Sequence, residues 1–186
     1  GVELSARKGY GRIVLGSWVH LGDQCRIRAH EGSIRIGSKT VMGRDNTINA
    51  YLDITIGDEC VISDSIYMCD FDHRFSDLDT PIRLQGITKS PIRIGANVWL
   101  GTKVSVLKGS QVGAGSVIGA HSVVRGAVAP MSVAAGIPVR VVRSRLDVGE
   151  KQFRVQRHAE SVRVRTRDAL NEMSGNGASG STPDSS

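Results

Sequence analysis

The chain of 186 residues is predicted to be all-β: a parallel β-helix of about five coils, with one extended loop and a C-terminal α-helical segment. Residues 94–129 carry the prediction, reading IGANVW LGTKVS VLKGSQ VGAGSV IGAHSV VRGAVA. Every block of six opens on an aliphatic residue: Ile94, Leu100, Val106, Val112, Ile118 and Val124. Glycine follows at Gly95, Gly101, Gly113 and Gly119, and the fifth place is small or β-branched. Such a period matches neither the helical repeat of about 3.6 nor the strand repeat of about 2. It is the period of a solenoid in which each block is one short strand and a turn. The same frame recurs upstream, and it breaks where a loop or a helix takes over.

In chain order, residues 1–14 fall outside the frame and are expected to form an irregular cap on the open end of the solenoid. The frame runs through Leu15, Leu21 and Ile27, then Ile36, Met42 and Ile48, then Ile56, Ile62 and Met68. Slips at Ser33 to Arg35 and at Ile54 and Thr55 separate these coils, and read as insertions at turns. Residues 74–93 interrupt the frame with two prolines and a polar run, so they are expected to protrude as a loop. A long loop on a regular scaffold is more often functional than idle. Pro130 and Pro138 end the coils, and the solenoid domain is bounded at 15–143. A helical extension is placed at 144–173, on the spacing of Val155, Ala159, Val162, Thr166, Ala169 and Met173. Residues 174–186 have too little apolar content to order and are expected to be a disordered tail.

Composition narrows the function. The net charge is +6, but aromatics make up only 4% and no basic run reaches five residues. Anionic small molecules account for the charge better than nucleic acid does. No stretch approaches the ~18 apolar residues of a membrane span, so no stable membrane insertion is expected. Cys25, Cys60 and Cys69 form no CxxC pair, and the first two fall on buried fifth places. They read as reduced core thiols of a cytoplasmic protein.

The hexapeptides, followed by AAGIPVRVVR at 134–143, resemble the left-handed β-helix acyltransferases, the hexapeptide-repeat family. DHRFSDLDTPI, QG and SPIRIGANVWLG resemble the branch that O-acetylates sugars and polysaccharides, near the galactoside, maltose and capsule acetyltransferases. The left hand of the helix is implied by this resemblance alone, since parallel crossovers are ordinarily right-handed. The resemblance also implies a homotrimer with its active sites between subunits. Acetyl-CoA would be the donor, a sugar or glycoconjugate hydroxyl the acceptor, and no metal would be needed.

The resemblance places His73 as the general base, in its DHxFxD context. Histidine suits the role because its unperturbed pKa lies near neutrality. Asp70, Asp72 or Asp77 would orient the ring, or a backbone carbonyl would. His121 reads as an outward mid-hexapeptide residue, and His20 and His30 as exposed turn residues. The resemblance puts the oxyanion hole at Gly101 and makes Trp99 a wall of the cleft; Trp99 alternatively covers the core at a corner. Thr102 and Ala120 would line the pantetheine arm, and Arg125, Arg140 and Arg143 suit the CoA phosphates or are merely solvated charges. Arg125 departs from the family's usual Thr-Lys at that place. Asn49, with Asp70 and Asp72, is assigned to the acceptor side.

Three other functions compete with this reading. A zinc enzyme on the same solenoid needs three histidines on neighbouring coils, and His20 and His30 are the nearest pair here. A non-catalytic trimeric scaffold has no need to keep His73 beside an intact Trp99-Leu100-Gly101 corner. The third is an N-acyltransferase acting on a nucleotide-linked amino sugar, or an enzyme taking its acyl group from acyl carrier protein, a protein donor that the C-terminal helical segment would suit.

Overall fold

The computed structural model describes residues 1–147. Gly1–Arg145 form one compact unit; of the second, Leu146–Ser186, only Leu146 and Asp147 are described. The expected helix and tail lie outside the described residues.

The chain winds as a three-faced parallel solenoid of six coils. The first face stacks Glu3–Ala6, Arg26–Ala29, Thr47–Ala50, Tyr67–Cys69, Ser105–Val106 and Val123–Val124. The second stacks Gly11–Leu15, Gly32–Ile36, Asp53–Ile56, Ile92–Ile94, Gln111–Val112 and Ala127–Val128. The third stacks His20–Leu21, Val41–Met42, Val61–Ile62, Trp99–Leu100, Val117–Ile118 and Ser132–Ala135. Within each sheet the aliphatic that opens one block lies in register with its equivalent a coil away, as in Met68 with Val106 and Leu100 with Ile118. These columns form the core. Each strand is too short to be stable by itself, so the stacking of these side chains supports the fold.

The fifth places close the corners from inside. Cys25 and Cys60 are buried there, and their thiols donate to Gly43 O at 3.1 Å and Gly95 O at 3.2 Å. Ser110 and Ser116 are buried too, and donate to Val124 O and Ala129 O, each at 2.9 Å. A hydroxyl is tolerated in this core because a carbonyl of the next coil accepts its proton. The second-place glycine has a different cause. A Cβ at Gly101 would come within 2.6 Å of Ala120 N, so the next coil's backbone occupies the space a side chain would need.

Three expectations change. Residues 1–14 are not an irregular cap: Glu3–Ala6 and Gly11–Leu15 pair with Arg26–Ala29 and Gly32–Ile36, forming the start of a first coil. Their outer edge has no neighbour to bury against, which erased the apolar pattern the frame relies on. The slips are not turn insertions either. Ile34, Ile54 and Ile92 are buried and in register, so the second-face strands are lengthened by one inward-facing residue and one outward-facing one. Finally, the coils continue past Pro130. Ser132–Ala135 completes the third face, and Arg140–Ser144 turns back antiparallel against it.

Candidate active site

The extended loop leaves the solenoid between the first and second faces of the fourth coil. Its base is a short antiparallel hairpin, Phe71–His73 against Ile87–Lys89, with His73 opposite Ile87. A single 3-10 turn, Ile82–Leu84, lies at its far end. Asp70 anchors the point of departure. It is buried, and its carboxylate accepts from the N–H groups of Tyr51 at 2.7 Å, Leu52 at 2.9 Å and Asp53 at 2.8 Å. Ser90, where the chain re-enters the coil, donates its N–H to Asp70 O at 2.9 Å. Asp70 therefore belongs to the framework. It is not available to hold an acceptor, contrary to the sequence assignment, because it is buried at the bend between Tyr67–Cys69 and Phe71–His73 with its carboxylate taken up by the neighbouring coil's backbone.

His73 is exposed at the lip of a cleft of about 450 Å³ lined by Asp72, His73, Arg74, Phe75, Ser76, Thr88, Lys108 and Arg125. Of the three carboxylates considered for the ring, Asp70 is committed to backbone, and Asp72 pairs with Lys108 at 3.3 Å. The Thr80 hydroxyl chiefly, then the N–H groups of Asp79 and Thr80 that Asp77 accepts from, hold the Asp77 carboxyl below the usual range. Behind the cleft, the rings of His73, Phe71, Tyr51 and His30 follow one another down the edge of the solenoid. His30 is half-buried and stacked on Tyr51 at 4.9 Å, so it is not the exposed turn residue the sequence suggested.

A second group of assigned residues lies elsewhere. Trp99, Val117, Val133 and Arg143 occupy one cross-strand row of the third face, and Arg140 pairs with Ala135 at its end. Trp99 is 51% exposed and donates Nε1–H to Ser63 Oγ at 3.2 Å; it does not cover the core. Thr102 and Ala120 follow at the corner from the third face to the first, and His121 N–H donates to Thr102 O at 2.9 Å. His121 itself is an exposed corner residue with φ of 59°. The N–H of Gly101 donates to Ile118 O at 2.8 Å, so in this chain it is not available to an oxyanion. That of Thr102, next along, has no backbone acceptor among the described residues.

Arg125 departs from its predicted company. It stands just past a first-face strand, in the His73 cleft, whereas Arg140 and Arg143 are on the third face. Asn49 lies on the outside of the first face, paired with Cys69 of the Tyr67–Cys69 strand a coil away, and does not line the cleft. Although Tyr67 is 40% exposed, partial loss of hydration chiefly, then the contact with Cys69, pushes its phenol up to about 12. Sequence reasoning missed Lys108, Thr88 and Arg74. Stacking the blocks gives a signal for Lys108, since it and Arg125 follow first-face strands of successive coils at the corner where the loop departs.

Comparison with known proteins fits this geometry. Residues 91–126 match the family described as bacterial transferase hexapeptide (six repeats). A putative lipopolysaccharide biosynthesis O-acetyl transferase of Escherichia coli is 31% identical, with the match covering 64% of this chain and 75% of that protein. The chain belongs to the hexapeptide-repeat transferase family. A probable acetyltransferase of Mycobacterium tuberculosis is 54% identical over 78% of this chain, which spans only 48% of that relative's length. Among solved structures, a hexapeptide-repeat acetyltransferase of Vibrio cholerae in complex with acetyl-CoA superposes with a TM-score of 0.61. That match has 31% identity and covers 69% of each chain.

Among the described residues, no group of three His, Cys, Asp or Glu side chains is placed to hold a metal ion. No described helix is long and apolar enough to cross a membrane.

Proposed function

We propose that this hexapeptide-repeat protein is an acetyl-CoA-dependent O-acetyltransferase whose acceptor is a hydroxyl of a sugar, polysaccharide or glycolipid precursor. The observation that carries the reading is the exposed imidazole of His73 at a cleft on the edge of the solenoid. An alcohol is a poor nucleophile until its proton is removed, and an imidazole within reach of that proton supplies the base. The acceptor oxygen then attacks the thioester carbonyl directly as its proton passes to His73. Collapse of the tetrahedral intermediate breaks the carbon–sulfur bond, and the departing CoA sulfur takes the proton back. Neither the enzyme nor His73 becomes acylated.

The two groups of assigned residues stand at different edges of one chain, which supports a site completed by a second copy. The third face also presents Val41, Val61, Trp99, Val117 and Val133 outward in one register row, with Val61 51% exposed. A cyclic homotrimer would cover such a row. In that assembly Trp99, Thr102 and Ala120 of one copy line the donor groove against His73 of the next. The Thr102 N–H, rather than that of Gly101, takes the oxyanion role. Arg140 and Arg143 end the same face and suit the CoA phosphates, and Arg125 reaches the groove from the His73 side. Asp72 stays on the acceptor side. A cytoplasmic reaction belongs to this reading, with acetyl-CoA as its donor.

The test is thiol release from acetyl-CoA with a panel of neutral sugars, glycolipid headgroups and amines. His73→Ala is expected to lose about 10²–10⁴-fold in turnover while the protein stays folded. A loss of less than about tenfold would overturn the base assignment. Turnover with amines but no hydroxyl acceptor would favour the N-acyltransferase reading.

A further inference from the structure

Resting on the reading of His73 as base, we propose that Lys108 is a positioning residue for acetyl transfer, tying the fifth coil to the hairpin that carries His73. Lys108 stands at the corner one coil beyond the hairpin. Its ammonium group pairs with Asp72 at 3.3 Å and hydrogen-bonds to the Thr88 hydroxyl. Those two residues face each other across the hairpin, one rung from the pair His73 and Ile87. Thr88 Oγ1 in turn donates to Asp72 O at 3.4 Å, so a single lysine engages both strands beside the base.

The hairpin needs this support. Its strands are three residues each, and an isolated two-stranded hairpin is marginal in water. The solenoid's ladder does not continue through it, since its strands pair only with each other. On the other side Lys89 reaches back to Glu31 at 2.5 Å and over the Tyr51 ring at 5.3 Å. Lys108 is the contact from the fifth coil and lines the cleft itself, with its side chain 29% exposed. An ion pair so placed contributes little to global stability. Its effect falls on geometry, where a displacement of about 1 Å costs on the order of 10²-fold in rate.

The experiment compares Lys108→Met, Lys108→Arg and Thr88→Val in the full chain, using acetyl-CoA and the best acceptor from the thiol-release screen. Lys108→Met is expected to lower kcat by about 10–100-fold, leave the KM for acetyl-CoA within about twofold, and barely move the melting temperature. Lys108→Arg, which keeps a cationic donor, recovers most of the loss. Thr88→Val loses less, and adds little when combined with Lys108→Met, because both act through one contact. The proposal is overturned if Lys108→Met retains kcat within about twofold, or if only the KM for acetyl-CoA rises, which would make Lys108 a donor ligand. It is also overturned if arginine gives no recovery in a folded protein. Should Lys108→Met fold poorly, Thr88→Val with normal kcat is sufficient to reject it. An active His73→Ala would instead remove the reading beneath the proposal.

Discussion

Replacing Asp70 by alanine removes the acceptor for three backbone N–H groups at the corner where the loop departs. Among the described residues no other side chain accepts from the N–H groups of Tyr51, Leu52 and Asp53. Each buried donor left without a partner costs about 1–3 kcal/mol, and water entering at this edge recovers part of that. The sum is about 3–5 kcal/mol, a large share of the roughly 5–15 kcal/mol that holds a domain together. For a chain of this size about 1 kcal/mol shifts the melting temperature by about 2–4 °C. Asp70→Ala is therefore expected to melt about 6–20 °C lower by circular dichroism at fixed protein concentration. Asp70→Asn keeps one carbonyl oxygen but turns an NH₂ toward donors, so it lies between wild type and alanine. A drop below about 2 °C for the alanine variant would refute the assignment of Asp70 as the anchor of the loop.

Two further outcomes follow from close packing and burial. Gly101→Ala forces a Cβ toward the backbone of Ala120 and Ile118, and is expected to cost about 1–3 kcal/mol by the same melting assay, together with reduced turnover. Tyr67 holds its proton up to about 12, so folding retains a proton that the unfolded chain gives up near pH 10. The stabilisation is fully present below about pH 10 and is lost as the pH rises toward 12. Spectrophotometric titration should show one of the three tyrosines ionising last, and Tyr67→Phe should remove that step.

Much of the solenoid was legible because its core obeys one rule. An aliphatic every six residues and a small fifth place are both dictated by the corner geometry, and Cys25 and Cys60 could be placed by that rule alone. The lengthened second-face strands carried their own signal, SIRI, DITI and PIRI, in which the period of two marks both isoleucines as inward. The hexapeptide frame masked it. The first coil was illegible for a physical reason: a terminal coil has one neighbour, so Leu4 stays exposed and Ile13 is only partly buried. At the site, sequence proximity put Asp70 and Asp72 in one group. The bend at Asp70, between Tyr67–Cys69 and Phe71–His73, leaves the first in the framework and the second on the hairpin beside Lys108, a partner 36 residues away that only the stacking of coils brings close.

On the proposed reading of His73 as base, that separation explains how a repetitive fold holds one such group in place. Inside the ladder every residue is fixed by its register with the coils on either side, so the scaffold has no freedom to place a base except where the ladder stops. The loop is that place, and a loop brings mobility with it. Three charged groups counter the mobility at its base. Asp70 fixes the loop's exit from the fourth coil to the turn of the third, Lys89 ties one hairpin strand back to Glu31, and Lys108 joins both strands to the coil beyond. Two of the three contacts are partly exposed ion pairs, worth little as stabilisers. Their placement on either side of His73 makes sense as a demand on position, and position is what proton abstraction requires of a base.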